Sequence, residues 1–596
     1  MIAVPTKLCV FYVGRLHRGS WRHAALPDII RIGLVNIGAS ILSTSAVIMW
    51  VGPGFPRSVY VIDLLICFLA TAGARYSIRI YNEALKVERK SGKGILIYGA
   101  GSAGITFLRE VRANRWLGLH VVGFIDDSRT VRSMRIMDVP VLGGGRDIAS
   151  VVDRNRGKIQ EVIIAMPSAS GRQMQEAHAN CRGANIPCRT IPSIADLRRG
   201  EYLSAQLRNI SIDDLLGRDQ IRLEEDRIQQ SIADRRILIT GAAGSIGSEL
   251  CRQVGRFSPG RLVILDQAES ELFKIDQELR NRHPGLDIVP VIADIRHLRT
   301  IEAVVRDHSI ESIYHAAAYK HVPMMEAHVV EAARNNVIGT WNLVEAARRY
   351  HVNSFLMISS DKAVNPMSVM GVTKRIAELI VSAASNGNDN TTKFVSVRFG
   401  NVLGSNGSVV PTFRAQIAAG GPVTVTHPEM CRYFMSIPEA VQLVLQASTM
   451  GKGSDIFVLD MGEPVRILDL ARNMIQLAGF VPEKDIEIRI TGLRPGEKLF
   501  EEIALDGENV LSTYHDKIRI FKGKGIELDV LANWLVLLNQ FIDQRDERQI
   551  ARHFAELVPE YKPRVLVSTA SRIGGPTAVA RKAARVQGMR ATASES

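Results

Sequence analysis

The sequence predicts an α/β protein: an N-terminal membrane helical hairpin, a Rossmann-like domain, then a doubly wound Rossmann-fold catalytic domain with a small substrate lobe. Three observations carry this. Two apolar stretches stand near the start, at 29–51 and 58–74. Two glycine-rich turns each follow a short apolar run: Gly99-Ala100-Gly101-Ser102-Ala103-Gly104 and Gly241-Ala242-Ala243-Gly244-Ser245-Ile246-Gly247. After the second turn, short apolar strands alternate with helical patterns, which is the mark of a parallel sheet covered by helices.

About 20 apolar residues cross a bilayer. The first stretch is long enough; the second, 17 residues containing Asp63, is marginal. Lys7, Arg15, Arg18 and Arg22 precede the pair, and Arg75, Arg79, Lys86, Arg89 and Lys90 follow it, with only Arg57 in the turn at 52–57. The positive-inside rule then places both flanks in the cytoplasm. The expected location is the inner face of the cytoplasmic membrane, with the catalytic body in the cytoplasm. The alternative is a buried soluble hairpin, suggested by the polar interruptions Asn36, Ser43 and Thr44. No cleavable signal peptide is expected, because no small-residue cleavage site follows a short apolar run.

A chain of 596 residues is too long for one core. The expected parts are an anchor region at 1–90, the first Rossmann-like domain at 91–200, a polar connector at 201–235, the catalytic domain at 236–560 and a disordered basic tail at 565–596. The net charge of +13 is carried at the ends: eleven Lys/Arg against four acids in 1–90, and seven against one in 562–596. The body is neutral, so nucleic acid is not an expected partner; a membrane surface or a solvated tail is. The six cysteines are scattered without a C-x-x-C pair, which reads as free thiols in a reducing compartment and no metal site.

In the first α/β unit the turn at 99–104 opens a helix, and a strand at 120–125 ends in Asp126-Asp127. No catalytic constellation follows. This unit is either a nucleotide site or a structural or regulatory domain.

The second unit says more. Gly241 permits the tight turn, Gly244 lets backbone approach a pyrophosphate, and Gly247 lets helix pack on strand. Thr240, Ser245 and Ile246 complete the cradle, with helix N–H groups facing the phosphates. Asp266 ends the next strand, 19 residues beyond Gly247, where an acid binds the adenosine ribose. Its charge favours NAD over NADP, which stays an alternative. Asp294 and Ile295 follow strand Ile288–Ile292 and are expected beside the adenine. Ala316 and Ala317 are small where a strand leaves the sheet, so they allow close approach to the cofactor. Residues 401–520 change to loops and short strands and suit a substrate lobe.

Ser360-Asp361-Lys362 follow a strand end, and Met370 and Lys374, spaced i, i+4, share a helix face. The segments TGAAGSIG, HAAAYKHVP, SSDKAVNPMSVMGVTKR, RFGNVLGSNGSVVP and GLRPGEK together resemble the extended short-chain dehydrogenase/reductase superfamily. Within it they look like the membrane-bound, CapD-like nucleotide-sugar 4,6-dehydratases of bacterial surface-polysaccharide synthesis, over residues 10–560.

That resemblance implies oxidation of a UDP-N-acetylhexosamine at C4 by bound NAD(P), loss of water across C5–C6 and return of the hydride to C6. Lys362 would be the C5 base if burial and Lys374 lower its pKa. Asp361 would protonate the departing C6 hydroxyl. Ser360 would hydrogen-bond the C4 oxygen, and Lys374 would hold the nicotinamide ribose. The superfamily usually has Tyr where Met370 stands, and a thioether takes no proton; Asp361 relayed through Ser360 is then the C4 proton acceptor. In the substrate lobe Asn401 would touch the sugar or diphosphate, Lys320, Arg432 and Arg494 the substrate's anionic part, and Glu497 either the uridine ribose or Arg494. A homo-oligomer is expected. Relatives usually start with four membrane helices; this chain has room for two, so a start shortened by about two helices is expected. Two rival readings are a nucleotide-sugar 4-epimerase, which needs no acid and base at C5 and C6, and a non-catalytic membrane scaffold, which needs no catalytic residues.

Overall fold

The computed structural model describes residues 3–14, 26–52, 54, 56–85, 92–191, 203, 207–208, 214, 223–386, 391–503, 510–521 and 525–563. They fall into two units, divided near residue 210. Most of the expected connector and the whole basic tail at 565–596 lie outside the described residues.

The first unit begins with three helices, Ala3–Val13, Leu26–Val51 and Arg57–Leu85. The first, at 11 residues, is too short to register as a span in the sequence. The other two contain Ile30–Trp50 and Arg57–Ala74, 21 and 18 residues, each long and apolar enough to cross a membrane. Their polarity is inverted. Asn36, Ser40 and Ser43 are buried, while Ile30, Leu34, Ile41, Leu65 and Leu69 are exposed. Asn36 Nδ2 donates to Ile32 O at 2.9 Å and to Thr71 Oγ1 at 3.1 Å. Lys7, buried, pairs with Asp63. Two of the polar interruptions that weaken the sequence signal of a span, Asn36 and Asp63, are thus contacts between these helices, as between helices in lipid, whereas Ser43 bonds Ser40 O of its own helix.

Six strands follow: β1 (Lys93–Tyr98), β2 (Leu119–Ile125), β3 (Arg135–Ile136), β4 (Val139–Gly143), β5 (Glu161–Ile164) and β6 (Cys188–Thr190). Their order is β3-β4-β2-β1-β5-β6, parallel except for the β3–β4 pair. Ile95, Ile97, Phe107, Phe124 and Ile163 form the core beneath this sheet. The glycine turn after β1 is tight: Gly99 has φ 111°, and a Cβ on Gly104 would lie 2.0 Å from Gly99 O. Asp126 Oδ2 accepts from Ala100 N at 2.7 Å.

The second unit opens with helix Glu225–Ile232, the end of the expected connector, which puts Ile228 and Ile232 into the core. Its main strands are β7 (Arg236–Thr240), β8 (Arg261–Asp266), β9 (Ile288–Ile292), β10 (Ser312–His315), β11 (Ser354–Ile358) and β12 (Lys393–Arg398). Short pairs follow among β13 (Asn401–Val402), β14 (Val423–Val425), β15 (Cys431–Arg432) and β16 (Phe434–Met435), then β17 (Asp455–Leu459), β18 (Val465–Arg466), β19 (Ile488–Ile490), β20 (Val510–Ser512) and β21 (Ile518–Phe521). The large sheet runs β20-β21-β17-β12-β11-β10-β7-β8-β9. It is parallel from β9 to β17 and antiparallel beyond. β7 has β8 on one side and β10 on the other, so the chain direction reverses there and the loops after β7 and β10 part to leave a crevice. The lobe is interleaved with the sheet rather than appended. Val410, Phe413, Val425, Phe434, Leu470 and Ile475 form its own core, while β17 and β21 return to the large sheet.

Two of the three glycines of the first turn, Gly104 and Gly101, separate steric need from open space. A Cβ on Gly101 meets nothing within 4 Å. Gly104→Ala is expected to cost about 1–3 kcal/mol by overpacking, and Gly101→Ala to stay within about 0.5 kcal/mol of wild type. Chemical denaturation of the two variants checks this; equal losses would show that close packing is not what Gly104 provides.

Candidate active site

The crevice is built first by backbone. Gly241 has φ 69°; a Cβ there would lie 2.6 Å from Ala317 N, and one on Gly247 would lie 2.0 Å from Gly241 O. Turn, helix and the Ala316-Ala317 loop are therefore in direct contact. A Cβ on Gly244 would meet only Gly241 O, at 3.2 Å, which leaves the outer side of the turn open to a diphosphate. Asp266 accepts from Ala243 N at 3.0 Å and Ala268 N at 2.9 Å. The same strand-end acid on the same turn occurs in the first unit at Asp126.

Thr240 turns inward. Its hydroxyl bonds His315 Nδ1 at 2.8 Å, and His315 Nε2 bonds Thr340 Oγ1 at 3.1 Å. Burial holds His315 neutral, with a pKa lowered to about 3. Ser245 Oγ accepts from Asn406 N at 3.2 Å. Of the two residues expected beside adenine, Asp294 is partly exposed and paired with Arg296 at 2.6 Å, whereas Ile295 packs in the core against Gly339.

Two cavities meet at the C-terminal ends of β10, β11 and β12. The larger, about 660 Å³, is lined by Gly244, Ser245, Ile246, Gly247, Ala316, Ser360, Met370 and Lys374. The smaller, about 370 Å³, is lined by Arg432, Arg494, Glu497 and Glu501 from the lobe. Lys320, His321, Lys362, Asn401 and Ser408 line both. Of the residues expected at the cofactor, Gly244, Ser245, Ile246, Gly247, Ala316 and Lys374 line the larger cavity while Thr240, Gly241, Asp266, Asp294, Ile295 and Ala317 line neither; of the expected acid and base, Lys362 lines both and Asp361 neither.

Ser360 Oγ donates to Asp361 Oδ1 at 2.8 Å, and Lys362 Nζ donates to the same oxygen at 2.9 Å and to Asn401 Oδ1 at 3.2 Å. Asp361 Oδ2 is buried without a partner, and Gly400 faces it, since a Cβ there would lie 3.3 Å away. Met370 is buried, with its thioether toward the larger cavity. Lys374 Nζ donates to Ile358 O at 2.7 Å, and burial lowers its pKa to about 8. The expectation that burial and Lys374 lower the Lys362 pKa is corrected. Burial does pull it down, but Asp361 and Glu501 outweigh burial, and the net shift is upward. Lys362 rests as an ammonium.

In the lobe, Arg432 departs from its expected role. Its guanidinium donates to Cys431 O at 2.7 Å, Leu499 O at 3.0 Å and Lys498 O at 2.6 Å, so three of its five N–H groups are taken by backbone and fewer are left for a diphosphate. Arg494 is exposed and held by Glu497, Nη2 to Oε1 at 2.5 Å; of the two roles open to Glu497, this geometry is the second. Lys320 lines both cavities, and burial lowers its pKa.

Sequence reasoning missed three groups. Glu378 and Arg398 form a fully buried bidentate pair at 2.7 and 2.8 Å. Ser359 Oγ adds a bond to Glu378 at 2.6 Å and Arg375 another at 3.0 Å. The i, i+4 spacing of Glu378 from Lys374 was the available signal. Asn336, in a π-helical turn at Ala333–Ile338, fixes the loop after β10 through Tyr319 N at 2.8 Å, Tyr319 O at 3.0 Å and Thr373 Oγ1 at 3.0 Å; no local pattern announces it. Glu501 follows the GLRPGEK turn beside Glu502, and nothing in that run says which acid turns inward.

Comparison with known proteins was informative. The family described as polysaccharide biosynthesis protein matches residues 237–523, and a CoA-binding domain family matches 19–192. The chain is 41% identical to the capsular polysaccharide biosynthesis protein CapD of Staphylococcus aureus, over 86% of this chain and 85% of that one. It is 43% identical to the probable polysaccharide biosynthesis protein EpsC of Bacillus subtilis, over 80% and 78%. Among solved structures, Pen from Bacillus thuringiensis is similar at 30% identity and a TM-score of 0.46, covering 51% of this chain and 99% of that one.

Burial alone would raise the Glu378 pKa, but Arg398, Arg375 and Ser359 hold it down at about 2, against the usual 4.5. A carboxylate depressed on folding contributes stability in full above its unfolded pKa and loses it as pH falls through the folded one. Glu378→Gln leaves a buried guanidinium uncompensated and should cost about 3–5 kcal/mol near neutrality. The deficit should shrink as pH falls from 4.5 toward about 2. Denaturation at a series of pH values checks both; a constant deficit would dissociate Glu378 ionisation from the stability of the fold.

Proposed function

Because the chain belongs to the CapD and EpsC family of polysaccharide biosynthesis proteins, we propose that it is a nucleotide-sugar 4,6-dehydratase. The substrate we propose is a UDP-N-acetylhexosamine, UDP-N-acetylglucosamine in the first instance, converted to its 4-keto-6-deoxy form for surface polysaccharide. The observation that carries this reading is the hydrogen-bonded Ser360–Asp361–Lys362 cluster, which puts Ser360 on the larger cavity and Lys362 on both, with Asp361 bonded to the two of them from behind. An oxidation alone needs one proton acceptor; here an acid and a base stand side by side.

The open turn at Gly244, Asp266 at the end of β8 and the buried Lys374 fit a dinucleotide, NAD before NADP. When bound, it would accept a hydride from C4 and return it at C6. The protein's own residues move the protons. Ser360 passes the C4 hydroxyl proton to Asp361 Oδ1, and Asp361 then delivers that proton to the departing C6 oxygen. Lys362 takes the C5 proton, made acidic by the adjacent ketone. Met370 takes no proton and shapes the apolar wall. Lys320 and Arg494 supply positive charge for the diphosphate, with Asn401 aligning Lys362 and the sugar.

The reaction is redox-neutral in this reading. Purified protein with UDP-N-acetylglucosamine should yield a product lighter by one water by mass spectrometry, with no net reduction of added NAD. Steady NAD reduction would instead mark a dehydrogenase, and a product of unchanged mass an epimerase.

Asp361→Asn and Lys362→Met should each lose elimination by about 10²–10⁴-fold, with NAD affinity by calorimetry unchanged, since neither lies in the glycine cradle. Near-normal product from Lys362→Met would remove the base from the scheme.

The inverted polarity of the N-terminal helices supports a membrane anchor with the catalytic unit in the cytoplasm. In cell fractionation the full-length chain should sediment with the inner membrane and residues 91–596 should not. Equal solubility without detergent would rule the anchor out.

A further inference from the structure

The dehydratase reading leaves one proton without an address. Lys362 must be a neutral amine to take the C5 proton, yet it rests as an ammonium between two carboxylates. Asp361 cannot receive its proton, because that carboxylate is reserved for the proton travelling from the C4 to the C6 oxygen. A further acceptor must stand within reach.

Glu501 meets the requirement. Its side chain is 3% exposed, and Oε1 lies 3.8 Å from Lys362 Nζ and 3.8 Å from Arg432 Nη2. Oε2 is buried without a hydrogen-bond partner. The residue lines the smaller cavity beside Lys362 and Asn401. A buried carboxylate oxygen that lacks a donor is costly, and protonation of the group relieves that cost. The charged groups facing it are Asp361, Lys362, Arg432 and Lys498. Asp361 favours its protonation, and the three cations oppose it. Two of those cations have their N–H groups turned elsewhere: Arg432 to three carbonyls, and Lys498 Nζ to Val364 O at 3.0 Å.

We propose that Glu501 stores the Lys362 proton during turnover, acting through Lys362 and not on the sugar. This rests on the 4,6-dehydratase reading. As substrate displaces water, the glutamate's end rotates to close the 3.8 Å gap. An N–H bond of Lys362 then breaks and an O–H bond forms on Glu501. The Lys362 amine takes the C5 proton, while the C6–O bond breaks and the leaving oxygen receives the proton that Asp361 drew from C4. Lys362 returns its proton to C5 and recovers its own from Glu501. The electrons follow the C4-to-C6 course of the reaction, so no additional oxidant or reductant enters.

The test uses the full-length enzyme with UDP-N-acetylglucosamine in deuterated water and reads deuterium entry at C5 alongside water loss. Because the transfer is internal, wild-type C5 exchange should be flat with pH around neutrality. Glu501→Gln should lower exchange and elimination by about 10²-fold at neutral pH. Its rate should then climb roughly tenfold per pH unit, as the free amine fraction does below an ammonium pKa. Glu501→Asp should restore part of the neutral rate. A Glu501→Gln enzyme with wild-type exchange, or one reduced equally at every pH, overturns the proposal. So does a wild-type profile that itself climbs with pH, a result that needs no variant to fold. If wild type gives neither product nor exchange, the dehydratase reading fails and this inference with it; if wild type is active and only the Glu501 signatures are missing, the reading stands and Glu501 is dismissed.

Discussion

The geometry of the catalytic unit depends on one buried ion pair. Glu378 projects from the helix that also carries Met370 and Lys374, and Arg398 ends β12. Both are fully buried, so the pair is stable only in the bidentate arrangement that satisfies both groups. Ser359, the first residue past β11, joins it. Helix, β11 and β12 are thereby locked at one point. Ser360, Asp361 and Lys362 emerge from one of these strand ends, and Gly400 and Asn401 from the other. Backbone bonds from Ser359 N to Val397 O at 2.7 Å and Asp361 N to Phe399 O at 3.1 Å extend the strand pairing into the site. Asp361 and Lys362, the proposed acid and base, sit in the short helical turn that directly follows β11, and these bonds fix that turn as the proposed proton transfers require.

Much of this was legible because the signals were local. The glycine turns, their flanking strands and the strand-end acids Asp126 and Asp266 follow from short-range sterics, and the structure places them as the spacing required. The alternation of strands and helices gave the parallel sheet. What escaped depends on partners far apart in the chain. The sign of the Lys362 shift turns on Asp361 beside it and, behind that, on Glu501, whose approach no local pattern announces. Arg432 reads as a phosphate ligand, yet three carbonyls of its surroundings claim it. Ile295 follows Asp294 in the turn after β9, and its side chain packs into the core against Gly339. The interleaving of lobe and sheet was equally hidden, since β17 and β21 look like any other short apolar run.

Electrostatics divides the two cavities by purpose. The larger sets glycine, alanine and methionine on its walls beside the ammonium groups of Lys320, Lys362 and Lys374. The smaller gathers Arg494, Glu497, Lys498 and Glu501 and offers charge to a polar ligand. Lys362 and Asn401 belong to both, so a group reaching in from either side meets the same ammonium.

The pairing of Lys7 with Asp63 bears on how the N-terminal region assembles. Neither charge is tolerable alone in hydrocarbon, where an isolated ionised side chain at mid-depth is strongly disfavoured. Helix Ala3–Val13, too short to span by itself, supplies the cation that pairs with Asp63 in the helix Arg57–Leu85. The whole of the helix Leu26–Val51 lies between the two partners in sequence, so the pair ties the two outer helices together across the middle one, and removing Asp63 would leave the buried Lys7 without its counter-ion.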